Sequence, residues 1–152
     1  MRIGIPKERR LGETRVAATP ETVKKLVKAG HEVLVEREAG VASDITDAAY
    51  EEAGAQIVDT AGAFGAELVA KVRGPMEEEL PQLKAGFILL GMLNPHHADG
   101  LARLAATDVT AFALEAAPRT TRAQSLDVLS SSNRQWRKSR NRTVRHTASA
   151  AN

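Results

Sequence analysis

Apolar residues come along this chain in short continuous runs separated by amphipathic stretches that close on glycine. That alternation is expected of a parallel sheet whose crossover helices cover both faces. Residues 2–6 predict a first strand and residues 7–18 a polar loop. Thr19 then offers an N-cap and Pro20 suits the first helical turn, while Val23, Leu26 and Val27 form an apolar stripe and Gly30 supplies the stop. The same rhythm predicts strands over 32–36, 56–58, 68–72, 86–92 and 109–114. Helices are expected over 47–53, from Asp59 or Thr60, from the acidic run Glu77 to Glu79, and over 96–106, where Leu101, Leu104 and Ala105 make the stripe. The fold class is therefore α/β, and the periodicity stops beyond Ser130.

Composition narrows the picture. At 152 residues and 43% hydrophobic content the chain can bury the core of one domain, and its longest apolar run, residues 87–90, is far too short to span a bilayer. The absence of cysteine and of an apolar signal core at the N-terminus points to a reducing compartment, the cytoplasm or the cytoplasmic face of a membrane. The net charge of +2 hides a division: every acid lies at or before Asp127, so residues 1–127 are net acidic and the remaining 25 carry six basic residues and no acid. That tail lacks the apolar content to fold and reads as disordered or as a basic arm.

No general catalytic signature is present: there is no G-x-G-x-x-G between a strand and a helix, no Walker loop and no H-E-x-x-H. His96 and His97 are adjacent, so a helix cannot turn both toward one metal ion, and they read as a solvated helix start. The loop over 7–15 is more informative, because it follows the first strand at the sheet's carboxyl edge, where open α/β sheets gather ligands. Arg15 there is either a bidentate fork for a carboxylate or phosphate, or a charge paired with Glu8 or Glu13. Lys71 and Arg73 alternate at a strand end, as an anion-handling pair or as edge charges that block further pairing. In the polar segment 118–131, Thr121 and Gln124 satisfy a capping box, and Arg119 and Asp127 serve either a ligand or an exposed salt bridge.

Three stretches carry a resemblance: the opening MRIGIPKERRLGETRVAATP, the strand end Lys71-Val72-Arg73-Gly74-Pro75, and the run PRTTRAQSLDVLSS from Pro118 to Ser131. Together they resemble the N-terminal part of the NAD(H)-binding domain of proton-translocating NAD(P) transhydrogenase alpha subunits, over residues 1–132. The opening is shared with the related alanine dehydrogenases, whereas the last run is specific to transhydrogenase. The resemblance implies a Rossmann-like, largely parallel sheet of six strands, and hydride passage between NAD(H) and NADP(H), with NADP(H) held on a partner domain. It also implies membrane-embedded partner subunits that couple the transfer to proton movement, a homodimer at the cytoplasmic face of the inner membrane, and no nucleic-acid partner. The matched Arg119, Gln124 and Asp127 would contact the nicotinamide end of NAD(H), with Ser130 nearby, and neither a catalytic side chain nor a metal is implied.

The alanine dehydrogenase alternative can be weighed by position. That family holds and protonates its keto acid with an arginine, a lysine and a histidine; Arg15 matches the arginine, but the lysine falls on Arg73, too basic to donate a proton, and the histidine falls on Asn94, which cannot titrate. After Ser132 the resemblance ends abruptly. Residues 1–132 are thus expected to form the lobe, and 133–152 a basic tail read as an out-of-frame continuation of a truncated gene product. Without the lobe that carries the glycine fingerprint the chain is expected to be inactive alone; a non-catalytic remnant, or a tail that binds nucleic acid or anionic lipid, is the competing reading.

Overall fold

The computed structural model describes residues 1–94 and 98–116. His96, His97, Arg119, Thr121, Gln124, Asp127, Ser130 and the basic tail lie outside the described residues.

Six parallel strands form one sheet in the order β3-β2-β1-β4-β5-β6. The strands are β1 Arg2–Ile5, β2 Glu32–Glu36, β3 Gln56–Val58, β4 Leu68–Arg73, β5 Ile88–Met92 and β6 Thr110–Ala113. Four helices connect them: α1 Pro20–Lys28, α2 Asp47–Glu52, α3 Thr60–Phe64 and α4 Ala98–Ala105. This is the α/β, Rossmann-like arrangement that the alternation and the resemblance predict.

The helix ends follow their local chemistry. The Thr19 hydroxyl accepts from the Thr22 amide at 3.3 Å, Pro20 opens α1, and Gly30 at φ +90 lets the chain turn back so that the His31 amide reaches the Leu26 carbonyl at 3.1 Å. Thr46 and Asp59 cap α2 and α3 in the same manner. The acidic run behaves differently from expectation. Glu77–Gln82 is a 3-10 turn rather than an α-helix, and Pro81 inside it prevents regular propagation. The predicted α4 stripe also shrinks to Leu104, since Leu101 is 39% exposed and Ala105 is exposed on a helix that flanks the sheet margin.

Two apolar clusters hold the sheet. Ile3, Ile5, Val23, Val33, Val35 and Tyr50 belong to one, with the Tyr50 hydroxyl donating to the Ala18 carbonyl at 2.7 Å. Phe64, Val69, Phe87, Leu89, Leu93 and Leu104 belong to the other. Gly4 of β1 lets α3 lie close, for a Cβ there would stand 1.9 Å from the Ala63 carbonyl oxygen. β4 is an interior strand between β1 and β5, so Lys71 and Arg73 are not edge charges.

Candidate functional site at the carboxyl edge of the sheet

The chain leaves β1 toward β2 and leaves β4 toward β5, so the loops that follow these two neighbouring strands part company. At such a switch point an open α/β sheet forms its ligand crevice. Here the crevice is filled by the chain's own side chains.

Lys71, with a side chain only 1% exposed, donates from Nζ to Glu79 Oε1 at 2.9 Å and lies 3.5 Å from Glu8 Oε2. Glu8 Oε1 accepts the Val72 amide at 2.6 Å, which ties the β1–α1 loop to the end of β4. Glu79 accepts the Met76 amide on its second oxygen at 2.8 Å. Arg9 then spans the switch point. Its guanidinium reaches Glu79 Oε1 at 3.4 Å on one side, and on the other it pairs with both oxygens of Glu36, the last residue of β2, and with Thr60 Oγ1 at 3.0 Å. Thr60 in turn donates to Glu36 at 2.7 Å, and the Lys7 amide donates to Glu36 at 2.8 Å.

Each carboxylate ionises according to its surroundings. Burial raises the Glu8 carboxyl above its ordinary value, and neighbouring Glu79 adds to this, against the opposing pull of Lys71 and the Val72 amide. Burial also pushes Glu36 upward, but Arg9, Thr60 and the Lys7 amide together outweigh it and leave the carboxyl below the usual range. The Arg9 guanidinium is held protonated more firmly still by Glu36.

An outer cluster lies beside this network. Glu13 accepts Arg15 Nε at 2.8 Å, Arg15 Nη2 at 2.7 Å and Arg73 Nε at 3.1 Å. Of the two readings of Arg15, the pairing with Glu13 is thus the one realised. Lys71 and Arg73 both meet acids of the β1–α1 loop, Glu8 and Glu13. Asn94 adopts φ +50, and its amide and that of Leu93 donate to the Glu115 carboxylate. Among the described residues no group of three or more histidines, aspartates and glutamates is placed to hold a metal ion, and no helix is long and apolar enough to cross a membrane.

Arg9, Glu36, Thr60 and Glu79 are the members that sequence reasoning missed. Glu36 had a signal, a lone acid closing the apolar run Val33 to Val35 at a strand end. Glu79 had none, being one of three consecutive acids of which it alone is buried.

The Arg15 guanidinium, with help from Arg73, lowers the Glu13 carboxyl from 4.5 to about 2. A carboxyl depressed on folding stabilises the fold above its unfolded value, and that stability is lost as pH falls through the folded one. Urea midpoints of the wild type are therefore expected to fall between pH 4.5 and 2, and Glu13→Gln to flatten that part of the curve. Superimposable curves would remove Glu13 from the acid response.

Residues 4–135 match the family described as alanine dehydrogenase/PNT, N-terminal domain. The chain belongs to this family. It is 47% identical over 141 residues to an NAD(P) transhydrogenase subunit alpha protein of Rhodospirillum rubrum, a match covering 86% of this chain and 36% of that protein. It is 45% identical over 94 residues to alanine dehydrogenase 1 of Staphylococcus aureus, covering 62% of this chain and 25% of that protein. The solved transhydrogenase from Sinorhizobium meliloti superimposes with a TM-score of 0.80 at 40% identity, over 86% of this chain and 40% of that one. The chain thus spans well under half the length of these relatives.

Proposed function

We propose that the chain is the N-terminal lobe of an NAD(P) transhydrogenase alpha subunit, an oxidoreductase component that helps hold NAD(H) for hydride exchange with NADP(H) bound on a partner domain. The observation that carries this reading is the 47% identity to a transhydrogenase subunit, which extends over 86% of the chain. The transhydrogenase-specific run from Pro118 to Ser131 supports it. In this reading Arg119, Gln124 and Asp127, with Ser130 nearby, orient the nicotinamide end of the coenzyme. The lobe works in a homodimer beside membrane-embedded subunits that translocate protons, peripheral to the cytoplasmic face of the inner membrane.

The described residues do not themselves fit a dinucleotide. The β1–α1 loop contains no G-x-G-x-x-G to admit a pyrophosphate, and Arg9 with its carboxylates fills the crevice where such a group would rest. The lobe is accordingly one wall of a site whose pyrophosphate seat lies on another lobe. Calorimetric titration of the full chain with NADH is expected to show no saturable binding in the micromolar range; micromolar affinity would overturn this division of labour.

The similarity to alanine dehydrogenase favours a second reading, a fragment of an amino-acid oxidoreductase. Arg15 matches that family's arginine, but two positions weigh against this reading: the matched lysine is Arg73 and the matched histidine is Asn94. A chain of this kind has no titrating group where that chemistry needs one.

A further inference from the structure

A cavity of about 360 Å³ opens beside the filled switch point, between the ends of β4 and β5 and the 3-10 turn and α4 that follow them. Three arginines from three different segments line it: Arg10 from the β1–α1 loop, Arg73 from the end of β4 and Arg103 from α4. Among the described residues one acid, Glu77, stands against them, so the described lining carries a surplus of two positive charges. The surrounding lobe has the opposite sign, with 18 acidic and 13 basic residues over residues 1–116.

The arginines are unequally committed. Arg103 pairs with Glu77, and Arg73 gives only its Nε to Glu13, a carboxylate already held bidentately by Arg15. The exposed Arg10 guanidinium makes no hydrogen bond or ion pair with any described residue. The floor is apolar, formed by Met76, Leu80, Leu93 and Leu104.

From this arrangement we propose that the cavity is a binding site for an organic phosphate, whose oxygens meet Arg10, Arg73 and Arg103 and whose apolar body rests on the leucine floor. A monocarboxylate satisfies one guanidinium fork, whereas a phosphate offers oxygens in several directions and can meet guanidiniums approaching from separate segments. A phosphate monoester carries close to two negative charges at neutral pH, which matches the surplus in the lining. The floor distinguishes an ester from free phosphate, because inorganic phosphate has nothing to bury against leucine.

Phenyl phosphate titrated into the full chain, followed by amide chemical shifts, tests this directly. Saturable shifts at Gly74, Met76 and Leu93 are expected, with a dissociation constant of about 1 mM or tighter. Arg10→Gln and Arg103→Gln, both at exposed positions that the core does not need, should each weaken binding about five-fold or more. Benzoate and inorganic phosphate should bind at least about five-fold more weakly than phenyl phosphate. Lys24→Gln, on the exposed face of α1, should change nothing. Absence of saturation, equal weakening by Lys24→Gln, or benzoate or inorganic phosphate binding as tightly as the ester would each overturn the assignment. No coenzyme is present in the experiment, so its failure leaves the transhydrogenase reading intact, and failure of that reading leaves this one intact.

Discussion

Lys71→Met is expected to lower the unfolding free energy of the domain by about 3–5 kcal/mol, the cost of leaving buried carboxylates without their cation. The Lys71 side chain is 1% exposed and meets Glu79, also 1% exposed, and Glu8, 3% exposed. Water cannot replace the lost partner, and Arg9, at 3.4 Å from Glu79, is already shared with Glu36 and Thr60. For a domain whose whole stability is about 5–15 kcal/mol this is a large fraction. Removing both charges should cost less than the sum of the single losses: in Lys71→Met/Glu79→Met only Glu8 loses its cation, it keeps the Val72 amide and is relieved of the repulsion from Glu79, and the methionines fill the space. Urea denaturation of the wild type, both single variants and the double variant gives the coupling energy. Additive losses, or a Lys71→Met cost below about 1 kcal/mol, would show that the network is hydrated and mechanically idle.

The distribution of what could be read from the sequence follows from how far each interaction reaches along the chain. Elements set by neighbouring residues were legible: the Thr19-Pro20 start of α1, the Gly30 stop and the apolar runs of β2 and β4 all fall where the pattern places them. The 3-10 turn was misread because acids at a helix start are a weaker signal than Pro81 within it. The switch-point network was hidden for a different reason. Arg9 meets Glu36, Thr60 and Glu79 at separations of 27, 51 and 70 residues. No local rule links them, and only the order of strands brings them to one edge. Arg15 was half legible: its partner Glu13 is two residues away, so the pairing could be named but not chosen over a ligand. Lys71 lay in a strand whose position in the sheet decides everything, and the edge reading failed once β4 took its place between β1 and β5.

In a complete transhydrogenase alpha subunit whose matching segment is replaced by Pro118 to Ser131 of this chain, Gln124→Ala is expected to slow hydride transfer by about ten-fold or more. Two roles for Gln124 make separable demands. As the residue that closes a T-x-x-Q capping box three positions after Thr121, it would act locally, and Gln124→Glu would complete the box equally well. In that case Glu preserves both stability and rate, while Ala costs about 1 kcal/mol of stability with little change in rate. As a group that orients the nicotinamide through its amide, Gln124 cannot be replaced by Glu, because the carboxylate has no N–H to donate. Both substitutions then slow the reaction, including the one that keeps the cap. Arg119→Ala and Asp127→Asn should share the defect if the three side chains hold one ring, since loss of any one of them relaxes the geometry that the others maintain. Single-turnover rates separate this outcome from weaker coenzyme binding, which saturating NADH would mask. Normal single-turnover rates in the Arg119, Gln124 and Asp127 variants would remove this segment from the coenzyme site and leave untouched the family membership, which rests on the match over residues 4–135.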